Sequence, residues 1–296
     1  MDRVMKDKKA ILVFILPALL FFGVIVCLPM IYSGYYSLLD WNGVGDGTFI
    51  GLGNYQKAMA DSSEYFVKSL GNSFIMALLS IFVQVPLALL LALVIAKGTV
   101  RGENFFRTVY FIPVVLSTTV IGQLWMKIYY PNNGLLNAAL HSLGLDSLRM
   151  NWLGNTKLAL GSAFFVLVWQ YIGYHMLLMY SSIKAIPPEI YEAASIDGAA
   201  GAQVATRITI PLIKPMIKVS VTFALIGSLK TFDLVYVLTK GGPIHATEVP
   251  ATLIFSNIFL QNRYGLGSAM AIIVLLECLV FTVLLQKVFK TEEVQY

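Results

Sequence analysis

The sequence predicts an all-α integral membrane protein with six transmembrane helices and with both termini in the cytoplasm. Three observations carry that expectation. Of the 296 residues, 57% are hydrophobic and only 12% charged, against roughly 25% charged in an average soluble domain, and the mean hydropathy is +0.75. Apolar runs near the ~20 residues that cross a bilayer recur at about 10–33, 72–96, 105–128, 158–180, 216–238 and 266–288. Finally, thirteen of the 21 Lys and Arg residues lie on the side of the alternating connections that holds both termini. Basic flanks mark the cytoplasmic face. Continuous runs such as Ile11 to Ile25 and Leu87 to Ala96 lack the alternation of barrel strands, which leaves helices to satisfy the backbone in lipid. The positional bias also accounts for a net charge of +5 and a pI near 9.0. No basic segment is interleaved with aromatics, as a nucleic-acid surface requires.

The first run follows Lys8 and Lys9. It is too long for a signal-peptide core and lacks a small-residue cleavage site, so it is expected to stay as a helix. In the second run, Gln84 with Pro86 marks a kink rather than a site. The third carries Gln123 and Trp125, and the fourth Trp169, Gln170, Tyr171 and Tyr174. Aromatic faces beside amides or hydroxyls suit the ring faces and hydroxyl edges of a sugar, although such aromatics also serve as packing or interface belts. In the fifth run Ser228, Lys230 and Asp233 are further path candidates; the last two, three residues apart on a helix, can meet on one face. They read as a structural ion pair or as the edge of a polar path. Glu277, in the middle of the sixth, reads as an interhelical hydrogen-bond partner or as part of the same path, because ionisable groups within spans are costly. Cys27 and Cys278 sit inside apolar runs as small buried hydrophobes, with no disulfide framework. The connections at about 34–71, 129–157 and 239–265 are rich in Gly, Asn, Asp and Tyr, as ordered external loops are.

The connection between the fourth and fifth runs is long for a cytoplasmic turn. Pro188 suits the first position of a helix and Glu189 its positive end. Ile190, Ala193, Ala194 and Asp197 follow at helical spacing, with Gly198 as a stop. A second short helix is expected from about Gly201 to Arg207, before Pro211 and Pro215 start the fifth span. By periodicity alone, this loop either packs beneath the bundle or offers an alanine-rich knob to a groove on another protein.

Glu192-Ala193-Ala194, Asp197-Gly198-Ala199, Gln203 and Arg207 to Pro211 resemble the EAA signature of permease subunits in bacterial ABC importers. Leu16-Pro17-Ala18, Asp40-Trp41-Asn42, Gly51 to Tyr55, Thr239 to Pro243 and Gly265 to Ala269 extend the likeness to sugar-type permeases, in particular the first, maltose- or glycerol-phosphate-like, member of a heterodimeric pair. The resemblance implies a type I importer permease with Glu192, Ala193, Ala194, Asp197, Gly198, Arg207 and Pro211 in a coupling helix that docks on an ATPase. Ala202 and Ala205 stand where relatives carry bulky aromatics, which implies a flatter docking surface. The implied partners are a second homologous permease, two ATP-binding subunits, an external solute-binding protein, a di- or oligosaccharide and the lipid of a bacterial inner membrane. The chain then divides into a first helix with its external loop (1–71), a five-helix core with a coupling loop at about 184–215 (72–288), and a cytoplasmic tail (289–296).

No phosphate-cradling Gly-x-x-x-x-Gly-Lys-Ser/Thr occurs, so an ATP-driven reading assigns ATP and Mg to partner subunits and no cofactor to this chain. His141, His175 and His245 are scattered, without the spacing of a metal site, and there is no Gly-x-Ser-x-Gly elbow. The chain is therefore expected to catalyse nothing covalent. The rival class is an ion-gradient-driven transporter of a small polar solute with Glu277, Lys230 and Asp233 as the relay.

Overall fold

A computed structural model gives the fold and describes residues 8–97 and 101–289. Arg3, Lys6 and Lys290, with most of the expected tail, lie outside the described residues. Among the described residues four helices are long and apolar enough to cross a membrane: Leu12–Tyr36, Phe66–Ala96, Ala159–Lys184 and Tyr264–Val288. Two bent pairs, Glu103–Val115 with Thr118–Ile128 at 99° and Ala202–Leu212 with Lys214–Leu229 at 72°, bring the number to six when each pair is counted as one span. In chain order these are spans one to six.

The expected runs are present, but two are not straight. In span three Leu116 and Ser117 adopt ψ of 146° and 132°, extended backbone that ends one helix and starts the next. Pro113 weakens the last turn before the break, since it cannot donate to the carbonyl four residues back. Span five breaks at Ile213, ahead of Pro215. Its far end also corrects the expectation of a helix to 238. The helix stops at Leu229, Lys230 caps it with its amide on Ile226 O and Ser228 O, and a separate helix runs over Asp233–Thr239. Lys230 and Asp233 therefore share no helix face, and among the described residues no ion pair joins them.

Contacts divide the chain into two compact units, residues 1–66 with 253–275 and residues 67–252 with 276–296. In the first, a short two-stranded hairpin pairs Leu39 with Phe49 and Asp40 with Thr48. The buried Asn54 amide donates to Ser37 O (2.9 Å) and Leu39 O (2.8 Å), and a Cβ at Gly265 would meet Leu39 O at 1.9 Å. Arg263 pairs with Glu64, which also faces Lys57 at 3.9 Å. Span one is apolar and exposed along its length, with Phe14 at 77%.

In the second unit, spans two and four pack along each other around Ala88, Ala92, Met176 and Met179, residues small or pliable enough for close approach. A second core gathers Ile121, Ala163, Val166, Leu234 and Val249. The loop after span three is tied by Asn137, which donates to Pro131 O (2.8 Å) and Met150 O (2.9 Å) and accepts from Trp152 Nε1 at 2.9 Å. Beside it, His141 and Arg149 contact Asp146 and hold its carboxyl below the usual carboxylate range. Cys27 and Cys278 are free and half-buried rather than fully buried.

Candidate functional site

Span two is not a regular α-helix through its middle. A π-helical turn over Ser80–Gln84 precedes Pro86, which has no N–H to donate, and such wide turns often mark functional positions. The turn presents Gln84 to a cavity of about 370 Å³ in the second unit, within the roughly 300–1,000 Å³ of small-molecule sites. Span four contributes Tyr171, Tyr174 and His175, neighbours at three- and four-residue spacing. The break in span three brings Thr118, and the end of span five brings Phe223, Ser228 and the non-helical Lys230 to Phe232, followed by Asp233.

The polar groups in this cavity are incompletely paired. Gln84 is 1% exposed and its Nε2 has no hydrogen-bond partner, while His175 is 4% exposed with Nδ1 unpartnered. Buried polar atoms are ordinarily satisfied. Ser228 Oγ donates to Ser80 Oγ at 2.9 Å, so its orientation is set. The Tyr174 ring lies 6.2 Å from Phe223 and 5.4 Å from His175. Exposed Lys230 and Asp233 add one charge of each sign. The cavity thus offers aromatic faces beside unspent donor and acceptor positions, a combination that suits a neutral polyol with apolar ring faces.

Of the residues expected on the path, Tyr171, Tyr174, Ser228, Lys230 and Asp233 line this cavity, and Gln123, Trp125, Trp169, Gln170 and Glu277 lie elsewhere. Trp169 packs edge-to-face on Trp125 at 5.5 Å in the second core. Gln170, 1% exposed, donates to Thr118 Oγ1 at 3.2 Å and leaves Oε1 unpartnered. Gln123 lines a separate shallow pocket with Met126, Lys127 and Tyr130. Glu277 is half-buried with an unpartnered Oε2 and is absent from the cavity lining. Gln84 and His175 escaped sequence reasoning, Gln84 because the adjacent proline explained it and His175 because only metal spacing was sought. Each is a polar residue inside an apolar run, which was signal enough.

The loop after span four folds as its spacing predicts. A helix runs over Pro188–Ile196 with Pro188 in its first turn. It closes with Gly198 N–H on Ser195 O (3.1 Å) and Ala199 N–H on Ala194 O (2.9 Å), Gly198 taking φ +77°. This pair of bonds is a Schellman cap, whose left-handed residue favours glycine. Ala194 is buried, whereas Glu192, Ala193 and Asp197 are exposed and Ile196 is 87% exposed. The expected second helix is longer, spanning Ala202–Leu212 with a π-helical turn over Ala205–Thr209, so Pro211 lies inside it. Arg207 and Pro211 are exposed, and the Tyr191 hydroxyl meets Thr209 Oγ1 at 3.4 Å.

Residues 58–291 match the protein family described as binding-protein-dependent transport system inner membrane component. The chain is 41% identical over 280 residues to the probable ABC transporter permease protein YurN of Bacillus subtilis, covering 94% of this chain and 95% of that protein. It is 32% identical over 274 residues to the diacetylchitobiose uptake system permease protein NgcF of Streptomyces coelicolor, covering 89% and 77%. Its fold is like that of a chain in a crystal structure of a bacterial alginate ABC transporter in complex with an alginate pentasaccharide-bound periplasmic protein. There the TM-score is 0.83 at 24% identity, with 98% and 99% of the two chains covered.

Proposed function

Because this chain belongs to the binding-protein-dependent transport system inner membrane component family, we propose that it is the permease subunit of an ATP-driven importer passing a di- or oligosaccharide through the cavity beside Gln84 and His175. The observation that carries this reading is the pair of buried, unpartnered polar atoms, Gln84 Nε2 and His175 Nδ1, in one cavity with Tyr171 and Tyr174. A passing hydroxyl satisfies what the protein leaves open, and the rings take its apolar faces. The uptake system named for diacetylchitobiose and the transporter solved with an alginate pentasaccharide-bound periplasmic protein support the sugar class.

In this reading a second homologous permease completes the path and an external solute-binding protein delivers the sugar. Two ATP-binding subunits consume ATP and Mg, and this chain holds no cofactor and performs no covalent chemistry. It sits in a bacterial inner membrane with both termini cytoplasmic. The helix Pro188–Ile196 carries motion between ATPase and spans, with Glu192, Ala193, Asp197 and Gly198 on its exposed side and Arg207 and Pro211 on the following segment.

The test is uptake of labelled maltose and diacetylchitobiose into proteoliposomes containing the co-expressed subunits. Uptake that requires ATP and survives an ionophore is expected. Uptake by this chain alone that collapses with the proton gradient would establish the ion-driven rival instead. For orientation, a single cysteine at Ala199 should be shielded from an impermeant thiol reagent in intact cells, and one at Asn155 should react.

A further inference from the structure

The first half of span three carries a groove separate from the cavity beside Gln84. Asn104, Arg107, Thr108, Phe111, Ile112 and Val115 recur at three- and four-residue spacing, hence on one helix face, and with Leu177 of span four they line a groove of about 600 Å³. One end is polar and the rest apolar. From residue 104 to residue 115 the helix rises roughly 16 Å, the depth of one leaflet of hydrocarbon, about half of 30 Å. The bend after Val115 ends the run there. Ile112 is 49% and Val115 71% exposed, so these two side chains lack full cover among the described residues.

At the polar end the Arg107 guanidinium lies 4.4 Å from the centroid of the Tyr180 ring. One of its terminal nitrogens reaches the Tyr180 hydroxyl at 3.4 Å and Asn104 Oδ1 at 3.5 Å, both long contacts, and its Nε is buried without a partner. The neighbouring carboxylate, Glu103, is already engaged, accepting from the Tyr180 hydroxyl and facing Lys184 Nζ at 3.6 Å. Among the described residues no carboxylate comes within ion-pair distance of Arg107. Two cations and one anion leave a net positive charge at the groove's mouth, and basic side chains at a membrane boundary attract anionic lipid headgroups. A phosphodiester accepts two parallel N–H bonds from a guanidinium.

We infer that this groove seats an anionic phospholipid, its phosphate at Arg107 beside Asn104 and Thr108 and one acyl chain along Phe111 to Val115. The site lies near the last turn of span four, which leads into the Pro188–Ile196 loop, so the lipid belongs to the leaflet on that side. The unanswered charge selects a net-negative lipid over a zwitterionic one, whose own amine cancels its phosphate.

The experiment uses the full chain purified with its co-expressed subunits, delipidated in detergent and supplied with palmitoyl-oleoyl phosphatidylglycerol or the matching phosphatidylcholine. Native mass spectrometry reads bound lipid, and thermal unfolding reads stabilisation. Phosphatidylglycerol should be retained at least about five-fold better than phosphatidylcholine and should raise the unfolding midpoint. Arg107→Gln should abolish the preference, and Leu177→Trp, which fills the apolar stretch away from the charge, should lower retention of both lipids. If Arg107→Gln fails to fold, Leu177→Trp decides alone. Unchanged phosphatidylglycerol retention in the folded variants overturns the inference. Loss of a co-purifying subunit with lipid retention unchanged also overturns it, showing the groove to be a protein interface.

Discussion

The Ser228 hydroxyl donates to Ser80 Oγ across 2.9 Å, joining the end of span five to the π-helical turn of span two. Both residues are buried, at 2% and 0% exposed, and each stands within four residues of the cavity's Gln84 or Lys230. The bond holds the wide turn against the broken helix and so sets where Gln84 points. Ser228→Val should leave the Ser80 hydroxyl without its partner. Interhelical hydrogen bonds in membranes average about 0.6 kcal/mol and reach about 1.7. A double-mutant cycle with Ser80→Ala, followed by denaturant unfolding in detergent, should return a coupling in that range. A coupling near zero would mean the two hydroxyls do not hold the turn.

Span four passes close to the backbone of span three at Gly173. A Cβ there would stand 1.9 Å from the Tyr110 carbonyl oxygen, so span four passes the first half of span three only because that side chain is absent. Gly173→Val should cost about 1–3 kcal/mol or more through overpacking and sharply lower the monodisperse yield on size exclusion. Gly161→Ala, on the same helix with nothing within 4 Å, is the control and should express normally.

Cavity and core make opposite predictions for neighbouring aromatics. Gln84→Leu and Tyr174→Ala should lower sugar uptake more than expression, each removing a contact worth about 1 kcal/mol, or roughly five-fold in apparent affinity. Trp169→Ala removes a ring packed edge-to-face on Trp125 and should lower stability and expression along with uptake. Parallel uptake and in-gel fluorescence separate the two patterns. If Trp169→Ala were selectively deficient in uptake, the path would run past Trp125 instead.

The proposed coupling role is tested most directly at Gly198. Its φ of +77° with open space around it means that a substitution is opposed by backbone conformation and not by a clash. A non-glycine residue in that region costs about 1–2 kcal/mol, more when β-branched. Gly198→Val and Glu192→Lys should therefore insert at normal levels while weakening retention of the ATPase or its substrate-stimulated turnover. Full retention and stimulation in both variants would remove residues 188–207 from the transmission role.

The sequence by itself determined the membrane class, the apolar runs and the capped helix at Pro188–Ile196, because these follow from local composition and spacing. Apolar length decides a crossing wherever it occurs, and Pro188 and Gly198 act within one turn of their own positions. Tertiary structure decided where spans three and five bend and which side chains share a cavity. The residues around Lys230 read as helix when only hydropathy is counted, yet the chain breaks at Leu229 and puts Asp233 on another helix. The aromatic and amide residues of span four lie within six positions, yet Tyr174 faces the cavity while Trp169 turns to Trp125 and Gln170 to Thr118. Which face of a buried helix meets a cavity depends on what packs against every other face, and with apolar residues all round, the hydropathy pattern carries no direction. Ser80, Gln84, His175 and Ser228 come from three separate runs, and only the packing of those runs brings them together.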